Sequence, residues 1–221
     1  MGVRPAEFFV EVAPTPPDDG HGSPSRRILC RGGSHATRLR AWEPVPRDLY
    51  MIRFRPIYPG ATYFITSVTH ERQRRFDNPV FAQIIVDQLK YYEKAYEFHL
   101  PAYAIMPDHY HAVITVGEKK TISQILHAVH SYTATLLNQQ LGNTNKVKIW
   151  QGKAWDVVAR DDAAYWRMIA YTLLNPWREG LVSDPLHPYP FSNIAEWREK
   201  EGDEFLLDLF AQIRDWREFG E

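Results

Sequence analysis

The chain has 221 residues, 44% of them hydrophobic and 24% charged, with a formal net charge of −1. That length supports one sizeable core, and the charge excludes a strongly basic, sequence-blind nucleic-acid binder. One cysteine, Cys30, excludes an internal disulfide framework and a multi-cysteine zinc site. No apolar run is long enough to span a bilayer, and no secretory leader is visible, so the expectation is a cytoplasmic protein without a membrane partner.

Residues 1–50 carry seven of the 16 prolines and no sustained hydrophobic period. They read as a poorly ordered extension, with the patterned domain over 51–194 and an acidic tail over 195–221. That tail holds 4 Lys+Arg against 9 Asp+Glu, whereas the middle is mildly basic. Ala61 to Thr69, rich in β-branched and aromatic residues, is a predicted strand. Arg72, Arg74 and Arg75 follow in a loop. Asn78-Pro79 then opens a helix as N-cap and N1, with Val80, Ile84, Ile85, Leu89, Tyr92 and Tyr96 on its apolar face.

Tyr103 to Met106 and His109 to Val116 are predicted strands of an antiparallel pair, joined through Met106-Pro107-Asp108. Thr121 to about Leu141 is a second helix, with Ile122, Ile125, Leu126, Val129, Tyr132, Leu136 and Leu137 facing inward and Gly142 as its stop. Trp155 to Ala159 is a fourth strand. A third helix, capped by Asp161 or Asp162, carries Tyr165, Met168, Ile169, Tyr171 and Leu174. Glu196 to Phe219 reads as an amphipathic helix that caps the domain. The order strand, helix, strand, strand, helix, strand predicts an α+β, ferredoxin-like split-βαβ fold. Its antiparallel sheet has helices on one face, and the third helix can lie across the open face.

Two stretches carry chemistry. In a strand, residues i and i+2 share a face, so His109 and His111 project side by side while Tyr110 and Ala112 turn away. Two neutral imidazoles make two corners of a metal site, or else two unrelated polar residues on a half-exposed strand. On the third helix, Tyr171 and Asn175 are four apart and lie one above the other. A phenol nucleophile and a carboxamide ligand would then face one site. The competing reading makes Tyr171 core and Asn175-Pro176 a local cap.

Five motifs fall in one order: Met106-Pro-Asp-His-Tyr-His111, Ser131-Tyr-Thr-Ala134, Trp150-Gln-Gly-Lys-Ala-Trp-Asp156, Tyr171-Thr-Leu-Leu-Asn-Pro-Trp-Arg-Glu-Gly-Leu-Val182 and Tyr189-Pro-Phe-Ser192. The series resembles the tyrosine transposases of single-strand insertion sequences, most closely their REP-associated branch, within the HUH endonuclease superfamily. The resemblance spans roughly Tyr58 to Ser192. It departs from the family at Asp108, where Asn is usual, and in its weaker positive charge.

The resemblance implies that His109 and His111 are paired metal ligands, that Asn175 completes the metal site and that Tyr171 is the nucleophile. Two histidines lean the metal toward Mn²⁺ while permitting Mg²⁺. The implied activity is nicking and rejoining of hairpin-containing single-stranded DNA through a 5′-phosphotyrosine. No phosphate-cradling Gly-rich loop is present, so no nucleotide cofactor is expected. Arg72, Arg74 and Arg75 are candidate phosphate contacts, and the protein is expected to be a monomer or homodimer. Two rivals stand beside this reading. One is a binding-only regulator of hairpin DNA or RNA, and the other a metal hydrolase that uses water in place of Tyr171.

Overall fold

The structure, a computed structural model, describes residues 59–142 and 146–213. The expectations for residues 1–50 and for the end of the acidic tail lie outside the described residues. Those residues all belong to one compact unit. Its sheet is built from β1 (Thr62–Val68), β2 (His99–Ile105), β3 (His109–Thr115) and β4 (Trp155–Val158), and its helices are α1 (Pro79–Tyr96), α2 (Ile122–Gln140), α3 (Asp162–Arg178) and α4 (Ile194–Phe210). The strand order is β2-β3-β1-β4, antiparallel throughout, as the split-βαβ reading requires.

Local chemistry starts the first three helices where the sequence places them. The Asn78 carboxamide accepts the Val80 N–H at 3.0 Å, with Pro79 at the first helical position. Thr121 and Gln124 form a reciprocal capping box at the start of α2, and Asp161 accepts from the Ala164 N–H at 2.7 Å. Two expected core residues turn outward. Val80 and Tyr132 are exposed, because Phe81 and Thr133 take the inward positions beside them. β2 begins four residues earlier than its predicted start at Tyr103, since Leu100 and Pro101 are buried as well.

The strand alternation divides the molecule into two cores. Tyr63, Ile65, Tyr103, Ile105, Tyr110, Ala112 and Ile114 pack against α1 and α2 on one face. On the other face Phe64, Ala102 and Val113 pack against α3 and α4. The face expected to be open is therefore largely covered. α3 lies on it, and α4 closes over α3 through Ile194, Leu206, Leu209 and Phe210. A cleft remains at the end of this face where β3 begins.

Candidate active site

β2 and β3 form a hairpin whose turn is pinned from outside. The fully buried Thr69 donates both its N–H (2.8 Å) and its hydroxyl (2.9 Å) to the Asp108 carbonyl. Phe76 N–H donates to the Pro107 carbonyl at 2.9 Å. The hairpin delivers His109 and His111 to the α3 face, and their Nε2 atoms converge to 3.2 Å. Each ring is oriented through its other nitrogen. His109 Nδ1 lies 2.6 Å from an Asp108 carboxylate oxygen, and His111 Nδ1 lies 3.0 Å from the Thr66 hydroxyl.

A carboxylate on Nδ1 requires the proton there, so the nitrogen available to a metal in the neutral ring is Nε2, which faces His111. Burial first, then the neighbouring His109 and Arg178 charges, holds His111 well below its ordinary pKa. His111 is accordingly a neutral imidazole, the form that binds metal. Asp108 resists its own burial penalty. The hydrogen bond and charge of His109, followed by Arg72 at 3.3 Å, hold its carboxyl below the usual range. The departure from Asn at this position thus supplies a charged orienting group as well as a turn residue.

α3 brings Tyr171 against this pair and carries Asn175 one helical turn further on, both fully buried. The Tyr171 ring stands edge-on to His111 and to Phe64, each at 5.3 Å between centroids, and its hydroxyl accepts from Arg178 Nη1 at 3.2 Å. Asn175 is no cap. It lies inside α3, which runs through Pro176 to Arg178, and neither its Oδ1 nor its Nδ2 has a hydrogen-bond partner among the described residues. A buried amide left unpaired costs about 1–3 kcal/mol. The nitrogen, nitrogen and oxygen donors of His109, His111 and Asn175 suit a divalent cation of Mn²⁺ or Mg²⁺ type. Among the described residues, no cluster of three His, Cys, Asp or Glu forms a competing metal site.

A cleft of about 630 Å³ opens beside the histidines. Arg72, Arg74 and Lys153 bring positive charge to it, Asp108 and Glu179 negative, and Trp155 an indole. Arg72 and Arg74, two of the three candidate phosphate contacts, line this cleft; Arg74 donates to both Asp77 carboxylate oxygens at 2.9 and 3.1 Å. Arg75 is not among the lining residues; its guanidinium turns to the Gln73 side chain. Glu71 and Arg72 both take left-handed backbone, at φ +57° and +50°, a conformation rare outside glycine. Thr66, Thr69, Lys153, Trp155 and Arg178 were not singled out from the sequence. Lys153 and Trp155 lie in the Trp150–Asp156 motif and Arg178 follows Tyr171 by seven residues on the same helix, so these three carried a signal that could have disclosed them.

Residues 58–157 match the family model of IS200-like transposases. A Haemophilus influenzae protein, named by inference a REP-associated tyrosine transposase, is 26% identical over 177 residues, covering 71% of this chain and 88% of that one. The solved structure of a REP-associated tyrosine transposase bound to a REP hairpin superposes with a TM-score of 0.55 at 21% identity. That match covers 67% of this chain and 84% of the other.

Proposed function

We propose that this chain, whose residues 58–157 match the model of the IS200-like transposases, is a member of that family that nicks and rejoins hairpin-containing single-stranded DNA with Tyr171 as nucleophile. The observation that carries the reading is two oriented imidazoles whose Nε2 atoms lie 3.2 Å apart, with the Tyr171 ring edge-on to one of them. The buried Asn175 carboxamide, one turn along from Tyr171 and without a hydrogen-bond partner among the described residues, supports it. His109, His111 and Asn175 would hold a divalent cation, Mn²⁺ or Mg²⁺, which when bound polarises the scissile phosphoryl oxygen. Asp108 and Thr66 fix the imidazoles, and Arg72 and Arg74 face the incoming backbone phosphates.

In the chemical step the Tyr171 Oη–P bond forms and the P–O3′ bond breaks. The phenol gives up its proton and the departing 3′ oxygen takes one up, leaving a 5′-phosphotyrosine and a free 3′-OH. Attack by another 3′-OH reverses the exchange and releases the phenol. The Arg178 guanidinium, already on the Tyr171 hydroxyl, faces the charge that develops on that oxygen. Because Tyr171 is buried at rest, its hydroxyl has to reach the cleft when DNA binds.

The test is a denaturing gel of the full chain with Mn²⁺ and 3′-end-labelled, hairpin-forming single-stranded DNA. The expected result is labelled DNA attached to protein in the wild type and none in Tyr171→Phe, with hairpin binding retained. Binding without cutting in the wild type would support the regulator instead. Cutting without an adduct would support the water-using hydrolase.

A further inference from the structure

The cleft extends past the histidines along the sheet. Ala104, His111, Thr66 and Trp155 are consecutive partners in one row across β2, β3, β1 and β4. Partners in a row project from one face, so Trp155 stands beside the metal-site histidines at two strand spacings from His111, roughly 10 Å. Its indole is 37% exposed and lines the cleft. From within the protein it meets Phe64 edge-on, at 5.9 Å and 80°. Phe64 is itself fully buried and stacks on His111 at 5.2 Å.

The indole is therefore backed by a fixed aromatic ring and open on the cleft side. It sits on β4, an edge strand of the sheet. Around it the cleft is polar and carries Lys153, Arg72 and Arg74 beside Asp108 and Glu179, with Arg72 on Asp108 and Arg74 on Asp77. An exposed ring beside cations in a cleft is an arrangement that binds single strands, with Lys and Arg meeting the backbone and the ring receiving a base.

We propose that Trp155 is the stacking platform for a base of single-stranded DNA flanking the phosphate that lies at His109 and His111. The proposal rests on the nuclease reading of the same cleft. Every base has a π-face, so Trp155 sets the position of the strand more than its sequence. Lys153, two residues earlier, meets the phosphate next to the stacked base.

Binding and cleavage can be separated experimentally. The full chain is titrated in EDTA with oligothymidylate of about twelve nucleotides, a length within the usual single-strand site size. A second titration uses an abasic oligomer of equal length and charge. Trp155→Ala is expected to weaken oligothymidylate binding about five- to a hundredfold, to leave abasic binding unchanged, and to be largely rescued by Trp155→Phe.

Equal losses on both probes, in Trp155→Ala and Trp155→Phe alike, would make Trp155 structural and overturn the proposal. So would unchanged binding of both probes, or no wild-type binding of oligothymidylate. The labelled-hairpin gel reports on the nuclease reading independently. An adduct formed by a protein whose Trp155 variants bind both probes normally would leave that reading standing and remove this one.

Discussion

Asn175 is the residue at which structure and chemistry pull hardest against each other. Its carboxamide is fully buried, makes no hydrogen bond among the described residues and caps nothing. Replacement by an apolar side chain of similar size removes an unsatisfied polar pair and should stabilise the fold. Asn175→Leu is therefore expected to melt at or above the wild-type temperature in EDTA while losing nicking in Mn²⁺. Asn175→Asp keeps an oxygen ligand and should retain activity. A melting temperature several degrees lower in Asn175→Leu would mean that the amide has a structural partner, and the metal-ligand role would then fall. The sequence placed Asn175 and Tyr171 on one helical face, but it left the cap and ligand readings open. An Asn-Pro pair looks alike at the start of a helix and inside one; only the path of α3 through Pro176 separates them.

At the scale of elements, the tightest join is between the end of α1 and the end of β3. α1 closes on Glu97 in a left-handed conformation, φ +53°. A Cβ on Gly117 would lie 2.0 Å from the Glu97 carbonyl oxygen, so backbone meets backbone with no room for a methyl. Gly117→Ala should cost about 1–3 kcal/mol through overpacking and lower the melting temperature by several degrees. Nicking at low temperature should survive, because His109 opens β3 and Gly117 lies beyond its other end. A melt followed by circular dichroism decides it, and a shift within a degree of wild type would show that the join relaxes easily.

Elements of this kind were legible where local chemistry acts alone. Asn78, Thr121 and Asp161 announced their helices, and the alternation around His109 announced its strand. What escaped was long-range. Leu100 extends β2 because the core against α1 and α2 buries it, Pro101 is held through its carbonyl by Asn193 and Trp197, and Val80 yields its place to Phe81. The row joining Trp155 to His111 exists only once β4 has paired with β1.

For the molecule as a whole, the balance of stability with pH is set partly on the face away from the cleft. His130 lies against Trp150 and meets the Tyr110 hydroxyl at 2.9 Å. Burial, reinforced by His127, lowers its pKa from 6.5 to about 4. A histidine with a depressed folded pKa gives stability that is present above the unfolded value. Between pH 6.5 and about 4 the unfolded chain takes up a proton that the native chain refuses, so stability falls as the pH falls. The shift corresponds to about 3 kcal/mol, and His111 adds to it in the same direction. The apo protein in EDTA should thus lose melting temperature steadily across that window. His130→Gln should flatten the slope while lowering stability at neutral pH, and an unchanged slope would remove His130 from the account.

The burial of Tyr171 acts at this scale too. Under the proposed function Tyr171 breaks DNA, and such a side chain is safest when it is out of reach of stray strands. Here the phenol is kept inside by Phe64, His111 and Arg178. Whatever free energy holds it there is subtracted from the affinity for every strand that must draw it out. A strand with few contacts cannot meet that deduction and leaves intact. On the proposed reading a hairpin that fills the cleft can, so the resting position of one hydroxyl would be a threshold that separates substrate from bystander.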